Sequence, residues 1–283
     1  MTETIFGVLM ATVFSVIFLR MAKVSFWGLV AVLLAAFVQG RVGAVGLFAV
    51  VALMGAGYGY YLRAQTKGMK MFCALVFVLI SVALSARLFP LFQNWQIVAP
   101  FRLSDISVPY ALWWNFEKPI LAIVIGGFAI ASHRDTLVST NPVRVALVGV
   151  LGIAVTISLA YAWGYIAWEP KAPAIFWLWA LTNLLITCAG EEAFFRGFIL
   201  KELDRALSTT ALQRAVPLLV SSLLFGLAHY AGGLKYMILA SVAGIFYGLV
   251  YRMTGRLWVS VVLHLLLNAT HFLLFTYPAI QQT

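Results

Sequence analysis

The residues best suited to chemistry stand together at Gly190-Glu191-Glu192-Ala193-Phe194-Phe195-Arg196-Gly197, directly after an apolar run from Ala174 to Ala189. Two carboxylates and a guanidinium are costly there, because an Asp, Lys or Arg at the centre of a membrane helix costs roughly 2.5–3.5 kcal/mol each. Such groups face a bundle interior or a water-filled cavity, and they mark function. Glu192 and Arg196 are four apart, so a helix stacks them on one face where they neutralise each other. Glu191 sits about 100° round the helix from Glu192 and has no cation at helical spacing. Two carboxylates in unequal surroundings separate a structural acid from a reactive one. A structural ion pair at a helix end is the plainer alternative.

Two further polar insertions follow. Phe225-Gly226-Leu227-Ala228-His229 ends an apolar stretch, and His264-Leu265-Leu266-Leu267-Asn268 lies in the last one. The four-residue spacing presents His264 and Asn268 on one helical face, with His271 close to it. A lone histidine in an apolar helix usually packs by a hydrogen bond; three polar helices in succession suggest a site. Glu191 precedes the middle of the 205–215 connection by about as many residues as His229 follows it, so straight helices would bring both to similar depth. These groups suit water activation with an oxyanion hole. Desolvation raises a buried carboxylate's pKa toward the range a general base needs. A neutral His and an Asn offer N–H donors to charge developing on a carbonyl oxygen. No Ser, Thr or Cys occurs in a nucleophile-like setting. Glu191, His229 and His264 equally form a zinc set with an open fourth position.

These residues need helices to carry them, and the composition supplies helices. Of 283 residues, 63% are hydrophobic and 10% charged, where a soluble domain carries about 25% charged. Apolar runs of about 15–20 residues span a hydrocarbon core of about 30 Å. The expected fold is therefore all-α, a polytopic transmembrane bundle of about eight to ten helices. The candidate spans are 5–19, 24–39, 43–62, 71–89, 119–132, 145–168, 174–195, 215–230, 236–252 and 257–277, the fifth short for a crossing helix. The net charge of +10 is scattered over the loops, which suits a membrane protein and argues against a nucleic-acid partner. Cys73 and Cys188 lie inside apolar runs, so neither a disulfide framework nor a cysteine metal site is expected. The polar connection from Pro90 to Lys118 carries Trp113-Trp114 and reads as an interfacial loop. Ser208-Thr209-Thr210 reads as part of a solvated connection.

The ordered set Glu191-Glu192-x-x-x-Arg196-Gly197, Phe225-x-x-x-His229 and His264-x-x-x-Asn268 resembles the CPBP or Abi family of CAAX prenyl endopeptidases and bacteriocin-processing enzymes. The resemblance implies a catalytic transmembrane core over 141–283, preceded by transmembrane helices over 1–140 that carry no recognised motif. It implies a glutamic-type intramembrane endopeptidase in which Glu191 activates water with His229, and His264 and Asn268 form the oxyanion hole. Glu192 and Arg196 would give structural support. The implied partners are a membrane-associated or lipidated protein or peptide, cut near its C-terminus, and the bilayer itself. No cofactor is implied, with zinc on Glu191, His229 and His264 as the alternative. The implied setting is multi-pass, in the cytoplasmic membrane of a prokaryote. The rival from another class is a proton-coupled transporter, because intramembrane Glu, Arg and His also mark ion pathways.

Overall fold

Away from water, each apolar run closes its own backbone hydrogen bonds, and so each becomes a helix. The computed structural model describes residues 2–87, 91–132, 141–207 and 210–281; Pro90, Ser208 and Thr209 lie outside the described residues. Every expected span is helical: α1 (Thr2–Ile17), α2 (Ala22–Val38), α3 (Ala44–Tyr58, extended by a π-helical turn to Arg63), α4 (Lys67–Ser85), α5 (Glu117–Ala131), α6 (Pro142–Ala162), α7 (Phe176–Thr182), α8 (Ala189–Glu192), α9 (Lys201–Leu207), α10 (Ala211–Leu227), α11 (Gly233–Thr254) and α12 (Leu257–Leu274). Among the described residues five helical stretches are long and apolar enough to cross a membrane. The chain is an all-α, multi-pass membrane protein. The one sheet among the described residues is a two-stranded hairpin, β1 (Trp95–Phe101) and β2 (Tyr110–Trp114), where the sequence reading had an interfacial loop.

The chain forms two compact units. The first comprises Met1–Trp95, Trp114–Asp135 and Leu185–Gly197. Its centre is α5, buried almost continuously from Pro119 to Gly126 and packed by α1, α2, α3, α4 and α8. This explains the short fifth span. At 1.5 Å per residue α5 is about 22 Å long, less than the hydrocarbon thickness, but it is wrapped by protein. Ser15 and Ser25 share a hydrogen bond of 2.8 Å between α1 and α2. Half-buried Trp114 packs on Phe6 (ring centroids 5.3 Å apart) and Trp95 (5.5 Å) within this unit.

The second unit comprises Gln96–Trp113, Thr136–Leu184 and Phe198–Thr283. Within it α11 packs against α6, α10 and α12. Thr210 caps α10 through a reciprocal pair with Gln213, satisfying two backbone donors that would otherwise lack partners. Trp179 stacks on Phe272 at 4.2 Å and donates its indole N–H to Tyr277 at 3.2 Å. The chain after α12 is laced to neighbouring loops: Thr276 N–H donates to the Ala167 carbonyl (2.9 Å) and Gln281 N–H to that of Ile106 (2.8 Å). Lys171 donates to the Phe275 carbonyl, and burial pulls its pKa below the ordinary lysine value while Glu169 opposes that shift.

Candidate active site

From Phe176 to Leu207 the backbone is helical, but it widens to π geometry over Asn183–Cys188 and Ala193–Leu200. Those stretches flank α8, which carries both glutamates. A π turn loosens the regular i→i+4 ladder and is frequent at functional sites. Within the first unit, Glu192 Oε1 accepts from Arg196 Nη1 at 3.2 Å, and both side chains are fully buried. The guanidinium also lies 5.9 Å from the centroid of the Phe195 ring.

Glu191 departs from the sequence reading. Lys118 Nζ of α5 stands 2.7 Å from its Oε1. This pair is partly open, with side-chain exposures of 27% for Lys118 and 12% for Glu191, against 0% for both members of the Glu192–Arg196 pair. The two glutamates therefore differ in exposure rather than in possession of a counter-charge. Helical spacing could not reveal Lys118, because 73 residues separate it from Glu191.

In the second unit His229, His264, Asn268 and His271 line one cavity, with Phe225 and Tyr247 among its walls. Its volume of about 60 Å³ is room for a few waters. His229 does not lie on α10, as its spacing from Phe225 suggested; the helix ends at Leu227, and His229 stands in the turn before Tyr230–Gly232. Its Nδ1 is 2.7 Å from the Phe225 carbonyl. A carbonyl only accepts, so Nδ1 carries a hydrogen. The Phe225 ring contacts both histidines, at 4.7 Å from His229 and 5.7 Å from His264. His264 is buried and stacks on Tyr247 at 4.7 Å and 20°. Asn268 donates one amide N–H to Asn183 Oδ1 at 3.0 Å. An amide has two such hydrogens, and this bond engages one of them and orients the group. His271 Nε2 donates to the Thr276 carbonyl at 3.0 Å and ties down the end of α12.

The first unit thus holds Glu191, Glu192 and Arg196, and the second brings His229, His264 and Asn268 to a common cavity. Sequence reasoning missed Lys118 and Asn183. The cavity lining has no carboxylate or thiol, and among the described residues no three His, Cys, Asp or Glu side chains are grouped to hold a metal ion.

Residues 173–270 match the family model described as type II CAAX prenyl endopeptidase Rce1-like. The match covers about a third of the chain and contains all three motifs quoted above. That family consists of peptide-bond hydrolases. No curated protein and no solved structure matches the chain.

Proposed function

We infer that this chain, an intramembrane endopeptidase of the Rce1-like CAAX type, cuts a peptide bond near the C-terminus of lipidated or otherwise membrane-associated substrates by glutamate-activated water. The observation that carries this reading is the water-sized cavity lined by His229, His264 and Asn268. A neutral His229 with Nε2 as acceptor can hold a water by one of its hydrogens. Glu191 takes a proton from that water as its oxygen attacks the scissile carbonyl carbon. The carbonyl π pair moves to oxygen, and the oxyanion accepts N–H bonds from His264 and Asn268. On collapse the C–N bond breaks and Glu191 returns its proton to the leaving amine. Atoms and charge balance without a metal. Glu192 and Arg196 hold the helix that bears the base.

The test is cleavage of an internally quenched, farnesylated CAAX peptide by the purified chain in lipid nanodiscs. The expected products are the prenylated fragment and the free C-terminal peptide, with one water added. Exhaustive chelation should leave the rate unchanged, and metal analysis should find well under one zinc per chain. Activity that vanishes with chelator and returns with zinc would replace the metal-free route by the zinc one on Glu191, His229 and His264.

The oxyanion assignment has its own signature. Losing one such donor typically costs about 10²–10³ in kcat. Asn268→Ala should lower kcat by that order with KM little changed, and Asn183→Ala should give a smaller loss of the same kind, because it frees the Asn268 amide to rotate. A rise in KM alone in either variant assigns these residues to substrate positioning instead.

A further inference from the structure

Two adjacent carboxylates on α8 each have a cation, but the two pairs are built differently. Glu192 meets Arg196 one helical turn away in a sealed setting. Glu191 meets Lys118, which lies on another helix and outside the stretch that matches the endopeptidase family. The start of α5 is fixed in place. Glu117 accepts from Asn94 Nδ2 at 2.9 and 3.1 Å, and Arg87 Nε stands 3.9 Å from it. Asn94 Oδ1 in turn accepts from Phe116 N–H at 3.1 Å, and Asn115 Oδ1 from Lys118 N–H at 3.4 Å. The approach of α8 to this point requires glycine: a Cβ on Gly190 would stand 2.6 Å from both the Cβ and the carbonyl oxygen of Lys118. A lysine stem is flexible, yet here its root is pinned by side-chain bonds and by a backbone contact that only Gly190 permits.

We propose that Lys118 is a positioning residue for the Glu191 carboxylate, its ammonium holding Oε1 so that the plane of the carboxylate is set before water arrives. The inference rests on the reading of Glu191 as the base. The Glu192–Arg196 pair is sealed and braces the helix, whereas the Lys118–Glu191 pair is partly exposed, at 27% and 12%. Misplacing a reacting group by about 1 Å costs on the order of 100-fold in rate.

The experiment compares wild type, Glu191→Gln, Lys118→Met, Lys118→Arg and Lys118→Ala on the farnesylated reporter in nanodiscs, with melting midpoints recorded for each. Lys118→Met should lose on the order of 100-fold in kcat with KM within about twofold. Lys118→Arg, which keeps the charge, should recover most of the rate. Adding propylammonium to Lys118→Ala should restore kcat saturably, while propanol should not; a purely structural pair would show no such rescue. A folded Lys118→Met with wild-type kcat, or a Lys118→Ala that propylammonium leaves unchanged, overturns the inference. If Lys118→Met fails to fold, the Lys118→Arg rate and the amine rescue decide the matter. A wild type that leaves the reporter intact overturns the endopeptidase reading itself. A wild type that cleaves it beside a fully active Lys118→Met overturns the role of Lys118 alone.

Discussion

Glu191→Gln should fold with a melting midpoint near that of the wild type and cleave the farnesylated reporter about 10²–10⁴-fold more slowly, the usual contribution of a general base. The amide matches the carboxylate in size and still offers an oxygen to Lys118, but it cannot take a proton from water. Stability should largely survive because the Lys118 ammonium is partly exposed and the amide oxygen still accepts its hydrogen bond. The measurements are initial rates on the reporter and thermal melting in the same nanodiscs. They separate the two glutamates, since only a reactive carboxylate gives a large rate loss at unchanged stability. The same variant bears on the zinc alternative. If Glu191 were a metal ligand, its amide would bring down zinc content together with rate. A Glu191→Gln enzyme that keeps wild-type turnover sinks both roles.

Much of the fold was legible because hydropathy and helix formation are coupled in a membrane. The run expected over 43–62 is helical from Ala44 to Arg63, and that over 257–277 from Leu257 to Leu274. Boundaries failed where a local backbone preference overrode hydropathy. The stretch 145–168 stays apolar to its end, yet the helix stops at Ala162 because Gly164 takes φ +63°, a left-handed conformation that glycine adopts without strain. His229 likewise fell beyond α10, in the turn that leads to Gly233 at φ +82°. The hairpin of β1 and β2 went unread because paired tryptophans signal an interface as readily as a strand. The site was legible to the extent that it is local. Glu192 and Arg196, or His264 and Asn268, share a face at four-residue spacing. The Lys118–Glu191 and Asn183–Asn268 bonds join residues 73 and 85 apart, and no periodicity records them.

Breaking the buried pair should give the largest stability effect in the chain. Glu192 and Arg196 are fully buried and 3.2 Å apart, so removing either partner strands the other's charge where water cannot follow. Such a loss costs about 3–5 kcal/mol, even though the intact pair itself adds little beyond what well-packed apolar residues would give. Glu192→Gln and Arg196→Ala should therefore each lower folded yield and melting midpoint sharply. The double variant has no stranded charge, so it should cost clearly less than the sum of the two. That coupling is the mark of an interaction between neighbours rather than of two independent defects. The Phe195 contact adds a term to Arg196 that Glu192 does not share. Arg196→Ala should accordingly be the worse of the two single changes. The cycle is read from melting midpoints and from yields of monodisperse protein after extraction. If both single variants prove fully stable yet inactive, bracing is not the function of the pair, and Glu192 belongs with Glu191 in the chemistry.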